Sequence, residues 1–304
     1  MKKALALILT ASLLTGVLTA CGSSKAQTDA AETTTEEAAA EETAAAEETA
    51  DTDAQAETGD LQVITVAATA VPHAEILEAA KPILAEQGYD LQITVFDDYV
   101  QPNEVVEAGD IDCNYFQHIP YLNSYNEERG THLVSVGEIH YEPIGIYAGT
   151  ESDLSNIPDG ADIAIPNDTT NEARRLLILQ DNGIITLKEG AGIDATINDI
   201  AENPHNINFV EMEAAQVSKV LSEVAFAVIN GNYALDAGLN AQTDALASET
   251  SDSLAAQTYV NVVVVKEGNE DNEGVKALVN VLKSDDIKKF IEETYEGAVV
   301  PFEG

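Results

Sequence analysis

Basic residues are scarce in this chain. Fourteen lysines and arginines stand against fifty-four aspartates and glutamates, a formal charge of −40 at pH 7. So acidic a protein is repelled by nucleic-acid phosphates and anionic headgroups, which sets nucleic acid aside as a partner and disfavours a strongly anionic ligand. A zwitterion or a neutral molecule is easier to accept. Cysteine is scarcer still. Cys21 closes an N-terminal apolar segment and Cys113 is alone in the body, so the body has no internal disulfide. No His-rich loop or close-spaced ligand pair is present, although His73, His118 and His140 are available, so no metal or other cofactor is called for. Nor is there an oxyanion signature or a general base paired with Cys113, which lies in the middle of an apolar strand pattern, and enzyme chemistry is not expected.

The N-terminus reads as a targeting segment. Lys2 and Lys3 precede an apolar run from Ala4 to Val17, shorter than the ~20 residues a membrane helix needs, and Leu18-Thr19-Ala20-Cys21 closes it. That ending resembles the lipobox of bacterial lipoproteins. The resemblance implies removal of residues 1–20 and lipidation of Cys21, with palmitate among the acyl chains, which anchors the protein on the extracytoplasmic side of a cell membrane. Each buried methylene contributes about 0.8 kcal/mol, and stable anchoring takes more than one chain, which a diacylglyceryl cysteine supplies. Residues 22–60 follow with twelve acidic residues, one lysine and no aromatic. Such a tract cannot bury enough surface to offset its ordering entropy and is expected to be a disordered tether, spanning roughly 35 Å root-mean-square.

The remaining 244 residues suit two domains or one large one. Leu61 to Ala68 is a β-branched apolar run, expected as a strand, followed by a helix over Ala74 to Glu86 with Ile76, Leu77, Ala80 and Leu84 on one face. Leu91 to Phe96 makes the next strand and completes a β-α-β unit, which favours a parallel sheet. A polar loop, a short helix to Gly109, a strand from Ile111 to Phe116 and a helix to about Glu128 continue the alternation. Strands are expected at 133–137 and 144–147, then 163–165, 207–212, 224–230 and 259–265, with helices at 196–202, from 214, and at 273–283 and 284–295. The alternation, with a crossing near 147–152 and a return near 256–260, predicts two α/β lobes, residues 61–147 with 258–304 and residues 148–257. Ligands in open α/β sheets bind beyond the carboxyl ends of the strands. Tyr99, Phe116 to Tyr121, Asn171 to Arg174 and Asn230 all fall at such ends.

The stretch from Ala161 to Gln180 is a strand, a Pro-Asn-Asp turn and a helix, with Thr169 as the expected cap and Glu172 completing a capping box. The exposed N–H groups of a helix start suit an anionic group, and Arg174 or Arg175 adds a planar fork for a carboxylate. An ordinary strand-turn-helix with solvated arginines fits the same residues equally well. Arg175 is expected at the lobe surface. Phe116 could pack inward as core, His118 could be a neutral wall residue or a metal ligand, and Asn230 could simply start a turn.

PHAEIL (72–77), DYVQPNE (98–104), DIDCNYFQHIPYL (110–122), IPNDTTNEARRLLIL (165–179), AVIN (227–230) and YVNVVV (259–264), in this order, resemble the NlpA/MetQ family of substrate-binding lipoproteins. That resemblance covers nearly all of residues 61–304. It implies a two-lobed, type 2 periplasmic-binding-protein fold with the ligand cleft between lobes. The implied function is a monomeric receptor that captures L-methionine and hands it to the permease of an ABC importer, whose ATPase is cytoplasmic. A methionine-containing dipeptide or another small amino acid is the alternative ligand, and a metal the remote one. Residue by residue, the resemblance puts Arg174, in the N-x-x-R pattern begun by Asn171, on the ligand carboxylate. Asn230 and Asn261 match the asparagines that accept the ammonium and help hold the carboxylate, and Tyr99, Phe116, His118 and Tyr121 match the aromatic wall around the thioether. Two departures stand out: Thr69-Ala70-Val71 where the family commonly has glycine, and Arg175 where a small residue is more usual.

Overall fold

The structure is a computed structural model that describes residues 61–250 and 258–303. The leader, Cys21 and the acidic tether lie outside the described residues. Among those described, no helix is long and apolar enough to cross a membrane.

The strands sort into two main sheets. The first begins with β1 (Gln62–Ala68), α1 (Glu75–Glu86) and β2 (Tyr89–Val95), and β2 pairs parallel to β1 as the β-α-β pattern predicts. Ile76, Leu77, Ala80 and Leu84 of α1 are buried, the face read from the 3.6-residue spacing. Burying each large one contributes about 1.5–3 kcal/mol. Next come α2 (Gln101–Ala108), β3 (Cys113–His118), α3 (Ile119–Arg129) and β4 (Leu133–Tyr141). Gly109 and Gly130 end their helices in the left-handed conformation, at φ 82° and 67°, which a side chain would disfavour. β3 starts and ends two residues later than its apolar pattern suggested. It therefore carries Phe116, Gln117 and His118 within the sheet, and all six of its residues are buried, on both faces.

The second sheet begins with β5 (Gly145–Ala148), which pairs antiparallel with β10 (Phe226–Ile229). The crossing between sheets thus falls at 142–144, before β5, and not at 147–152. β6 (Asp162–Pro166) runs into α4 (Thr169–Asp181), and β9 (Asn208–Met212) lies parallel to β6. Between them, β7 (Thr186–Leu187) and β8 (Ile200–Glu202) form a small ribbon. The helix expected over 196–202 is only a single turn, Ile197–Asp199, before β8, because β7 offers pairing partners there. α5 (Ala214–Val217) precedes β10, and α6 (Gly231–Asp236) follows it where only a turn was expected. β11 (Ala245–Ser248), for which no strand was expected, pairs antiparallel with β5.

The chain then returns to the first sheet through β12 (Val260–Lys266), antiparallel to both β3 and β4. α7 (Glu273–Leu282), α8 (Asp285–Tyr295) and β13 (Val300–Pro301) close it. The two sheets have the orders β13-β4-β12-β3-β1-β2 and β11-β5-β10-β6-β9. Each carries its own apolar core, one built on Ile64, Val66, Leu77, Leu84, Val263 and Leu278, the other on Ile146, Ile163, Ile165, Leu176, Leu179 and Phe226. This is a two-lobed α/β fold. The carboxyl ends of β2, β3, β6 and β10 face the space between the lobes.

Candidate functional site

Hydrogen bonds draw the lobes together around that space. Tyr99, in the bend after β2, donates to Asn232 Oδ1 at 2.6 Å, and Tyr233 on α6 donates to the Asp97 carbonyl at 3.0 Å. Thr169 at the start of α4 donates to Glu128 on α3 at 3.2 Å. Between them lies a cavity lined by Tyr99, Phe116, Gln117, His118, Tyr121, Glu142, Asn171, Arg174, Asn230, Gly231, Asn232 and Asn261. All eight residues singled out from the sequence line this one cavity.

One side is aromatic. The Tyr99 ring lies 5.7 Å from both Phe116 and Tyr121, centroid to centroid, and Phe116 lies 6.2 Å from Tyr121. Tyr121 is fixed by its O–H on the Tyr99 carbonyl at 3.1 Å. His118 caps α3: its Nδ1 accepts the Tyr121 backbone N–H at 3.1 Å, so Nε2 carries the proton toward Asn171 Oδ1, 3.3 Å away. Burial, helped by the neighbouring Arg174 charge, holds His118 down at about 3, a neutral wall residue.

The other side is polar and begins at α4. Asp168, not Thr169, caps this helix, its Oδ1 accepting the Asn171 N–H at 3.1 Å. A carboxylate outcompetes a hydroxyl as acceptor for the end N–H groups. Thr169 is free to reach Glu128, and Glu172 accepts instead from the Ile197 N–H at 2.8 Å, so the expected capping box does not form. Asp168 Oδ1 also accepts from Asn171 Nδ2 at 2.8 Å, which turns Asn171 Oδ1 toward the cavity side. That oxygen collects three donors: His118 Nε2, Arg175 Nη1 at 2.9 Å and Asn230 Nδ2 at 3.0 Å.

Arg174 lines the cavity, yet its fork is already engaged. Nε donates to Glu249 Oε1 at 2.9 Å, Nη2 to Glu249 Oε2, and Nη2 also to the Glu142 carbonyl at 2.8 Å. The guanidinium stacks over Tyr259, 4.3 Å from the ring centre. Burial alone would lower its pKa, but the Glu249 carboxylate more than reverses this, and the cation is held firmly charged. Arg175 is not at the surface: it is wholly buried. Its position one residue on turns it round the helix toward Asn171, Asp168 and Tyr99, into the interlobe wall. Burial and the Arg174 charge lower it to about 10.

Sequence reasoning missed Glu142 and Glu249. Glu142 follows β4 at the crossing, 6% exposed. Its Oε1 faces His140 Nε2 at 2.8 Å and His73 Nε2 at 3.4 Å. Because His73 Nε2 faces a carboxylate it carries the proton. It then donates also to Asn261 Oδ1 at 3.1 Å, while Nδ1 accepts from Thr69 at 2.8 Å. Tyr115 meets His140 Nδ1 from behind. Burial alone would raise Glu142, but the His140 hydrogen bond and the nearby His73 hold it below the usual carboxylate range. A lone acid inside the apolar run 139–147 was the signal available in the sequence; Glu249, within the tract at 241–256, offered none.

His73, His140 and Glu142 are also the group of potential metal-ligating side chains among the described residues. The hydrogen bonds just described occupy both imidazoles and Oε1 of the carboxylate. Cys113 is buried, its thiol pushed up by burial and directed at the Thr65 carbonyl.

Comparison with known proteins places this site in context. A protein of Ruminococcus gnavus ATCC 29149 with a crystal structure is 66% identical, with a TM-score of 0.79, over 80% of this chain and all of that one. The methionine-binding lipoprotein MetQ of Bacillus subtilis (strain 168) is 41% identical over 81% of this chain and 90% of its own. A nutrient-binding protein from Burkholderia cenocepacia, solved bound to methionine, is 41% identical with a TM-score of 0.74, over 78% of this chain and 99% of that one. The sequence profile of the NlpA lipoprotein family matches residues 64–303, and the chain belongs to that family.

Proposed function

We propose that the cavity binds L-methionine and that the protein is the substrate-binding lipoprotein of an ABC-type importer. In this reading it is held on the extracytoplasmic face of the cell membrane by lipid on Cys21 and hands its ligand to the membrane permease. The observation that carries the reading is the division of one cavity into an aromatic wall (Tyr99, Phe116, Tyr121) and a polar end (Asn171, Arg174, Asn230, Asn261). A thioether gains about 0.3–1.5 kcal/mol from each aromatic contact, and the polar end answers the two charges of a free amino acid. Arg174 supplies the positive field for the ligand's acid end even with Glu249 on one edge of its fork. Asn261, whose Oδ1 is taken by His73, has its amide N–H groups left for the same carboxylate. The methionine named for the Bacillus relative and present in the Burkholderia structure supports this ligand.

A methionine-containing dipeptide is the second reading. It is favoured by a further hollow that shares Tyr99 and Tyr121 with the cavity and continues past them to Gln101, Asp168 and Glu213.

Calorimetry on protein stripped of ligand tests the proposal, paired with mass spectrometry of small molecules released from gently purified protein. Methionine is expected among the released molecules and to bind far more tightly than leucine. No measurable heat with methionine would overturn the reading, and tighter binding of a dipeptide would transfer it to the second.

A further inference from the structure

We infer that Glu142 takes the ligand's ammonium group and thereby makes this pocket select molecules with a free, protonated α-amine. The inference rests on the amino-acid reading above and adds a residue to it that the family motifs do not include.

Glu142 is a carboxylate on the cavity wall with no guanidinium or ammonium partner among the described residues. Its ion-pair neighbours are the imidazoles of His73 and His140. His73 is neutral, held down at about 4 by burial. Of the two arginines of the site, Arg174 is paired with Glu249 and meets only the backbone carbonyl of Glu142, and Arg175 is bonded to Asn171. A buried negative charge is tolerated when a cation or several donors meet it. The imidazoles supply donors on one flank and the Asn232 backbone N–H adds another. A cation on the cavity side would complete the set.

A second acceptor stands beside it. Asn171 is locked by Asp168 with Oδ1 forward, so Asn230 must present its amide nitrogen to that oxygen. Asn230 Oδ1 is then turned away, buried and without a hydrogen-bond partner. The next residue, Gly231, packs against Glu142 so closely that a Cβ there would lie 2.7 Å from Glu142 Cβ and 2.9 Å from Oε2. Two acceptors, one charged and one neutral, therefore sit along one stretch of wall. An alkylammonium brings three donors and one positive charge, which is the complement of this pair. His140 and His73 act as positioning residues, keeping the carboxylate ionised and aimed.

Calorimetry with two ligands, methionine and the analogue in which hydrogen replaces the α-amine, separates recognition from mere support of the wall. For Glu142→Gln the expected loss of methionine affinity is at least about 30-fold, the scale of truncating a buried charged partner. For the deaminated analogue the same substitution is expected to change affinity less than about threefold. The ligand-free melting temperature is expected to fall only slightly, because glutamine keeps an acceptor for His140 and gives up only the charge that the surrounding donors favour. An equal loss on both ligands, or no loss on methionine, overturns the inference. Glu142→Asp, which keeps the charge and shortens its reach, is expected to fall between wild type and Gln; binding by this variant as weak as by Gln on both ligands would equally count against it. Should the wild type bind another α-amino acid in place of methionine, the same comparison runs with that amino acid and its deaminated form. Should it bind no α-amino acid, both the inference and the reading beneath it fall.

Discussion

Arg174 and Glu249 form a two-point ion pair inside the protein, with side chains only 4% and 9% exposed. One partner comes from the second turn of α4 and the other follows β11, seventy-five residues later. Tyr141 and the Ile144 N–H also bond the Glu249 carboxylate. The arginine of the site is thus oriented by groups of the protein itself.

Breaking that pair leaves a buried charge unmatched. Glu249→Ala is expected to destabilise the ligand-free protein by about 3–5 kcal/mol. Replacing both partners by Arg174→Met and Glu249→Leu is expected to cost clearly less, since no lone charge remains. Urea unfolding of the single and double variants checks this; a double variant as damaged as the sum of the singles would show that the pair is not acting as a unit.

His118 makes stability fall on mild acidification. Its folded pKa is about 3, lowered first by burial and then by Arg174, against 6.5 when free. Between those values the unfolded chain takes up a proton that the folded one refuses, so unfolding is favoured as pH drops. From pH 7 to 5 this amounts to about 2 kcal/mol from one such imidazole, a window that lies above the usual carboxylate range. His73, held at about 4, acts in the same direction. Melting curves across that window should flatten in His118→Gln without becoming level, and an unchanged slope would place the proton elsewhere.

Gly231 owes its identity to Glu142 and not to an unusual backbone angle. A methyl group there meets the base of the Glu142 side chain at 2.7 Å, where little can yield. Gly231→Ala is expected to lower stability by about 1–3 kcal/mol through overpacking. Methionine affinity should fall with it as the carboxylate is displaced. Calorimetry and thermal melting on the same preparation test both; wild-type values in each would show the wall to be softer than its geometry indicates.

Tyr99 touches Phe116, Tyr121 and Tyr233 and bonds Asn232 across the lobes. Tyr99→Ala is expected to narrow the preference for methionine over leucine by up to about tenfold, the reach of one sulfur–aromatic contact. Titration with both amino acids measures this, and an unaltered ratio would remove Tyr99 from thioether recognition.

Local pattern was enough for much of the fold. The apolar face of α1, the β-branched runs of β1 and β12 and the glycine stops at Gly109 and Gly130 follow from rules that act within a few residues, and the sequence carries them openly. The alternation of strand and helix placed Tyr99, His118, Asn171, Arg174 and Asn230 at strand ends, where they do line one cavity. The boundary of β3 shifted by two residues, and α6 and β11 escaped notice, because pairing partners far along the chain decide where a ladder begins and ends.

What the amino-acid order determined by itself was the acidic body, the family and, through their motifs, the residues at the strand ends. What only tertiary structure decided was how their charges are matched. Arg174 meets Glu249, Arg175 turns inward onto Asn171, and Glu142 is left facing the cavity between two imidazoles. The physical reason is one of range. Propensity and periodicity are properties of neighbours in sequence, whereas burial and the pairing of charges depend on which distant segments arrive at the same place.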